Sequence, residues 1–272
     1  MSRNNQERTG AHATTEAPPE VLKRLEFVAP TELVDLPSKG LYPEGHPLSG
    51  QDSIEIRFMT AKDEDILTSQ SLLKKGVAIE RFLQNVILNK SIRTEDMWVC
   101  DRNAVLIAAR RSGYGAEYET KINCPHCGEV NHLTFDLNNP EIVEPNLTDI
   151  VFDGGQYFVT APLTNFRVGL RMMNGRDEAF MAKLLTDKKR KEENNVTEQL
   201  RRIITSVEGD DSAVTLNYYV DNIPTQDSRF LRTAYNALSP SIRIVNDLKC
   251  HSCGYEQEME VPFGADFFWP DR

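Results

Sequence analysis

The chain has 272 residues, 40% of them hydrophobic and 26% charged, which is typical of a globular protein with one large or two modest domains. Its 31 basic and 41 acidic side chains give a net charge of -10, so a broad electrostatic surface for nucleic acid is not expected. The longest apolar runs, such as residues 104–109, fall far short of the roughly 20 residues that a membrane-spanning helix needs.

The N-terminal segment is polar and lacks large apolar side chains. Residues 1–20 have no apolar core, so we expect no secretory signal and predict a disordered tail. In a reducing cytoplasm, cysteine pairs serve more often as metal ligands or redox centres than as disulfides. Residues 21–52 are predicted to form an extended arm rich in proline and glycine, with Leu36, Leu41 and Tyr42 as apolar contacts for a partner protein.

Two segments each change from the alternating pattern of a strand to the spacing of a helix. In residues 53–73 the change follows Thr60, and Asp63 three positions later predicts a capping box with Asp in place of Glu. In residues 166–185, Asn174 supplies the cap. When the two segments are aligned at an offset of 114 positions, the same residue type occurs in both at several positions: Arg57 and Arg171, Met59 and Met173, Asp63 and Asp177, and Glu64 and Glu178.

Later segments continue this similarity in the same order. Residues 78–87 and 196–205 are both amphipathic and predict helices. Asp101 and Asp227 are each predicted to be the N-cap of a further helix, which leads through a turn and a strand into a C-x-x-C motif.

The repeated order predicts an α+β fold with an internal duplication. The unit is strand, helix, helix, helix, strand, and it ends in a cysteine knuckle. We place the first repeat at residues 53–140 and the second at 141–262. The alternative is an ordinary α+β chain in which the similarity is coincidental.

Four cysteines occur as two C-x-x-C-G motifs between strand-like segments, Cys124 with Cys127 and Cys250 with Cys253. A knuckle at a hairpin tip directs two thiolates to one point, so two tips predict one tetrahedral, structural zinc site in a split zinc ribbon. Iron in the same tetrathiolate shell and separate redox dithiols are the alternatives. Cys100 has no partner and is predicted to be a small buried hydrophobe.

The sequence offers little that indicates catalysis. Four cysteines would close the metal shell, whereas a catalytic zinc keeps an open position. The acidic cluster at residues 63–65 is explained by the dipole of a helix N-terminus. Residues 263–272 form an aromatic C-terminal tail, in which Phe267, Phe268 and Trp269 either fill the chain's own core or dock into a neighbour.

Three segments carry a resemblance to a known family: the arm "LPSKGLYPEGHP", the strand-to-helix turn "RFMTAKDEDIL" and the knuckle "CPHCGEVNHLTFDL". From about Val34 onward the chain resembles baseplate hub proteins of T-even-like, contractile-tailed bacteriophages. The resemblance implies a hub subunit or hub assembly protein with other baseplate, hub and tail proteins as partners. It also implies assembly in the host cytoplasm, a place in the tail baseplate of the virion, and no catalytic residues.

The leading hypothesis is therefore a structural or assembly protein that acts by binding its neighbours, with no small-molecule substrate. A nucleic-acid-binding zinc ribbon is the second hypothesis, and the acidic composition disfavours it. A metalloenzyme is the third, and it would need an open metal position.

Overall fold

Helices and antiparallel strands alternate along the chain in the computed structural model, which describes residues 29–153, 155–186, 195–261, 263 and 265–268. The predicted α+β class is confirmed. The predicted tail at residues 1–20 and Trp269 lie outside the described residues. Within the described part of the chain, no helix combines the length and the hydrophobicity that a bilayer crossing would require.

The first half of the fold, residues 29–136, begins and ends with an antiparallel hairpin. The opening hairpin pairs β1 (Thr31–Asp35) with β2 (Ser53–Arg57), and the closing one pairs β3 (Glu117–Asn123) with β4 (Val130–Asp136). The helices between them are α1 (Ala61–Thr68), α2 (Gln70–Lys75), α3 (Ala78–Val86), a 3-10 turn (Thr94–Asp96) and α4 (Val99–Tyr114).

The second half, residues 141–268, opens with a short strand and an antiparallel sheet in the order β6-β7-β8-β9 and closes with another hairpin. Its strands are β5 (Glu141–Val143), β6 (Val151–Asp153), β7 (Gln156–Thr160), β8 (Arg167–Leu170), β9 (Ile204–Val207), β10 (Ser241–Arg243), β11 (Val245–Lys249) and β12 (Glu256–Glu260). Its helices are α5 (Gly175–Thr186), α6 (Asn195–Ile203), α7 (Ala213–Asn222), α8 (Thr225–Leu238) and a closing 3-10 turn (Ala265–Phe268). Strand β10 pairs with β5, and β11 pairs with β12.

One cluster of buried hydrophobic side chains extends through both halves. The C-terminal aromatic residues take part in it: Phe268 meets Phe82 of α3 edge to face at a ring distance of 5.1 Å, and Phe267 lies 5.0 Å from the ring of Tyr118 on β3. Both C-terminal rings are almost fully buried. Phe267 and Phe268 thus pack into the first half, which removes their apolar surface from water.

A buried ion pair fixes the turn from β2 into α1. The guanidinium of Arg57 donates two hydrogen bonds to Asp63, at 2.6 and 2.8 Å. The backbone N–H of Thr60 donates to the same carboxylate at 2.8 Å, which is the carboxylate arm of the predicted capping box, and Asn85 of α3 donates at 2.5 Å. Burial alone would raise the pKa of Asp63, but these hydrogen bonds outweigh it and lower the pKa to about 2.

The turn from β8 into α5 has the same construction. Arg171 donates two hydrogen bonds to the buried Asp177, at 2.7 and 3.0 Å. The side-chain oxygen of Asn174 accepts from the backbone N–H groups of Arg176 and Asp177, so Asn174 caps the helix as predicted.

The prediction that Asp101 and Asp227 are N-caps is wrong. Helix α4 begins at Val99 and α8 at Thr225, so each aspartate is the third residue of its helix. A helix leaves its first N–H groups without intrahelical partners, and sequence alone does not fix which nearby residue starts the helix.

Each of these aspartates instead holds the loop of an opening hairpin, which is β1–β2 for Asp101 and β7–β8 for Asp227. Asp101 accepts hydrogen bonds from the backbone and hydroxyl of Ser38, at 2.9 and 2.6 Å, and from the hydroxyl of Tyr42 at 2.7 Å. Asp227 accepts from the backbone of Leu163 at 2.8 Å and from the backbone and hydroxyl of Thr164, at 3.0 and 2.7 Å. Both aspartates are fully buried, so these bonds replace the water that the carboxylates lose.

We expect Asp63→Asn to lower the free energy of unfolding by about 2 kcal/mol at pH 7, because the native state keeps this carboxylate ionised far below its ordinary pKa. The stabilisation is complete above the ordinary pKa of 3.8 and is lost as the pH falls towards 2. The difference between wild type and variant in urea unfolding should therefore shrink between about pH 4 and pH 2.

The matched control is Asp65→Asn, a change at an exposed position of the same helix. It should alter the unfolding free energy by less than about 0.5 kcal/mol. Equal effects of the two substitutions, or a pH-independent effect at position 63, would contradict the role assigned to the buried ion pair.

Candidate metal centre

The two C-x-x-C motifs occupy the tips of the two closing hairpins. Cys124 follows the last residue of β3, and Cys250 follows the last residue of β11. The hairpins pack against each other, and the side chain of Asn246 on β11 donates a hydrogen bond to the carbonyl of Thr134 on β4 at 2.6 Å. Strand pairing within each hairpin and packing between them therefore bring the two tips together.

The two tips have the same backbone turn. The N–H of Gly128 donates to the carbonyl of Cys124 at 2.9 Å, and the N–H of Gly254 donates to the carbonyl of Cys250 at 3.0 Å. These glycines have φ values of 77° and 71°, a left-handed conformation that most residues avoid. The glycine after each motif is thus required for the chain to turn back into the next strand.

Four sulfur atoms meet between the tips, all within 4.8 Å of one another. The Sγ atoms of Cys124 and Cys253 are 3.8 Å apart, and those of Cys127 and Cys250 are 3.6 Å apart. A tetrahedral zinc with Zn–S bonds of about 2.3 Å requires S–S separations of about 3.8 Å, whereas a disulfide is about 2.0 Å long. The four cysteines are free thiols in metal-ligand geometry and form a possible metal site.

Local hydrogen bonds lower the pKa of one of these thiols. The backbone N–H groups of Cys253 and Ser252, together with the side-chain amide of Asn131, lower the pKa of Cys250 to about 6, although burial acts in the opposite direction. These hydrogen bonds therefore favour the thiolate form of Cys250, which is the form that binds a metal ion. Four ligating thiolates in so small a volume would repel one another, and a cation bound between them would offset that repulsion.

The histidines of the knuckles remain outside the sulfur cluster in the part of the chain that the structure describes. The ring of His126 stacks on Tyr255 of the other tip at 5.6 Å. Nδ1 of His251 lies 2.8 Å from the side-chain oxygen of Asn131. Both histidines thus contact residues across the junction, and neither replaces a cysteine in the cluster.

Asn131, which joins the two tips, is not among the residues predicted from the sequence. This side chain of β4 is 4% exposed and contacts Cys250 and His251 of the other hairpin. A signal was available in the alternation of β4, since Asn131 occupies the same face as Leu133 and Phe135. A polar residue on the inward face of a strand indicates a buried hydrogen-bonding role.

The six residues predicted to contact partners lie in different environments. Leu36 and Tyr42 are buried, as are Phe267 and Phe268 of the C-terminal turn, so these side chains pack within this chain. Leu41 is 40% exposed and lines a groove of about 660 Å³ together with Phe152 and Tyr157. Trp269 lies outside the described residues. Of the six, Leu41 is the one placed at the surface of the described structure.

Comparison with known protein families gives a match that includes both closing hairpins and all four cysteines. A family model described as T4 bacteriophage base plate protein matches residues 32–269. Comparisons with curated proteins and with solved structures found no match. Because the family match extends over most of the chain, this protein belongs to the T4 bacteriophage base plate protein family.

Proposed function

We propose that the chain is a structural or assembly protein of the baseplate hub, which acts through contacts with other tail proteins. The family match over residues 32–269 carries this proposal. Its partners are other baseplate, hub and tail proteins, and its place is the tail baseplate of the virion after assembly in the host cytoplasm. Nucleic acid is a poor partner for a chain with a net charge of -10.

We further propose that Cys124, Cys127, Cys250 and Cys253 bind one structural zinc in a split ribbon. The S–S separations of 3.6 and 3.8 Å support a tetrahedral tetrathiolate site. Iron(II) accepts the same ligand set, so metal analysis must distinguish the two. A site closed by four thiolates offers no position for substrate or reactive water, which supports a non-catalytic role.

The two halves are proposed to be copies of one unit. The Arg57–Asp63 and Arg171–Asp177 pairs support this proposal, since both fix a strand-to-helix turn with bidentate hydrogen bonds. The pairing of the strand before each of these turns is also similar in the two halves. Ile56 of β2 bridges to Ile87 after α3, and Leu170 of β8 pairs with Ile204 after α6.

Asp101 and Asp227 make similar contacts with the loops of the opening hairpins. The similarity between the two halves therefore includes these hairpins. The proposed repeats therefore include β1–β2 and β7–β8, so that residues 31–52 of the predicted arm belong to the first unit. Two related but unequal surfaces on one chain would suit a position between rings of different symmetry.

Purified virions and baseplate intermediates test the structural role. We expect mass spectrometry to find the chain in one of them, and chemical cross-links should join it to other tail proteins. Phage that lack the gene should produce tails without complete baseplates. Normal baseplates at normal yield in its absence would contradict the proposal, as would a chain that enters no tail assembly.

Metal analysis of the purified chain tests the site. We expect one zinc per chain, which Cys253→Ser should remove, with a lower melting temperature because three thiolates bind zinc more weakly than four. Cys100→Ala, a change at the cysteine outside the cluster, should keep one zinc per chain. Two metals per chain, or full occupancy in Cys253→Ser, would contradict the shared site.

A further inference from the structure

We propose that Asn131 is a positioning residue that holds the second knuckle, Cys250 to Cys253, in the geometry needed for metal binding. The inference rests on the proposed metal site. Asn131 belongs to β4, in the first hairpin, yet its contacts reach the second hairpin, about 120 positions away in the chain.

Each polar atom of the Asn131 side chain has a defined partner. Its amide nitrogen donates to the carbonyl of Glu129 at 3.0 Å and lies 3.7 Å from Sγ of Cys250. Its oxygen accepts from the backbone N–H of His251 at 3.1 Å and lies 2.8 Å from Nδ1 of that ring. The bond to Glu129 anchors the amide to its own hairpin while the other contacts hold the opposite tip.

These contacts act on a metal ligand in two ways. The N–H group beside Cys250 stabilises the thiolate that binds a cation. The bond to the His251 backbone fixes the loop that connects Cys250 with Cys253, so less conformational freedom is lost when the metal binds. Hydrogen bonds that orient metal ligands typically contribute 10- to 100-fold to metal affinity.

The corresponding position in the second hairpin does not mirror this arrangement. Gln257 stands in β12 where Asn131 stands in β4, at the same distance from the C-x-x-C-G motif. Its side chain is exposed, and its amide oxygen accepts a hydrogen bond from the hydroxyl of Tyr255 in its own hairpin, at 3.0 Å. The polar contact between the two tips therefore comes from Asn131 of the first hairpin and not from Gln257 of the second. Gln257 provides the matched control.

The test is competition for Zn²⁺ between the full chain and a chelator. We expect Asn131→Ala to weaken Zn²⁺ binding by about 10- to 100-fold and to accelerate zinc release. Asn131→Asp keeps an acceptor for the His251 backbone but replaces the donor beside Cys250 by a carboxylate, so it should weaken binding at least as much. Gln257→Ala should remain within about twofold of wild type, since its contacts stay within one hairpin.

Co²⁺ substitution separates positioning from general stability. Loss of an N–H donor to a ligating sulfur raises the energy of the sulfur lone pairs. The sulfur-to-cobalt charge-transfer band should therefore move to longer wavelength in Asn131→Ala and Asn131→Asp. It should stay in place in Gln257→Ala. If Asn131→Ala does not fold, Asn131→Ser replaces it, and the same decrease in affinity and the same band shift are expected.

Two outcomes would overturn the inference: affinity and spectra like wild type in the Asn131 variants, or equal losses in Gln257→Ala. Either would leave the proposed metal site intact if wild type binds one metal per chain. A wild-type chain that binds no metal would instead remove the proposed site, and the inference with it.

Discussion

The meeting of the two closing hairpins at four sulfur atoms is the constraint that brings together the ends of the two halves of the fold. Cys127 and Cys250 are 123 positions apart in the chain, and the hairpins that carry them close the two halves. A metal ion shared by such distant points would close a long loop of the chain and thereby reduce its conformational entropy. A cation at this point would also offset the repulsion among the thiolates, so that folding and metal binding would stabilise each other.

Buried aspartates provide a second set of fixed points, and each one is hydrogen-bonded to its surroundings. Asp63 and Asp177 hold the strand-to-helix turns, while Asp101 and Asp227 hold the loops of the opening hairpins. Burial raises the pKa of Asp101 although Ser38 and Tyr42 donate to it, whereas hydrogen bonds at Asp227 outweigh burial and lower its pKa. Asp101 and Asp227 thus have the same structural role in different electrostatic settings.

Local patterns in the sequence predicted the parts of the fold that depend on local chemistry. The C-x-x-C-G spacing predicted both knuckles, and the change of hydrophobic period predicted the turn at Thr60 and the cap at Asn174. The roles of Asp101 and Asn131 depend on residues that are distant in the chain. A single sequence does not reveal contacts between distant residues. Asp101 was therefore assigned a local capping role, and Asn131 was assigned no role. The proline and glycine residues between β1 and β2 led to the prediction of an extended arm. In the structure β1 pairs with β2, so this segment folds back on itself. That pairing is also non-local, and the sequence of the segment does not indicate it.

Hydrogen exchange, measured by mass spectrometry on the metal-loaded and the chelator-treated chain, tests most directly whether the four cysteines join the two halves. We expect faster exchange after metal removal in both closing hairpins, β3–β4 and β11–β12, while β2 and the buried face of α4 stay protected by the core. Unchanged exchange in the hairpins, or a change confined to one of them, would contradict a shared metal that joins two distant parts of the chain.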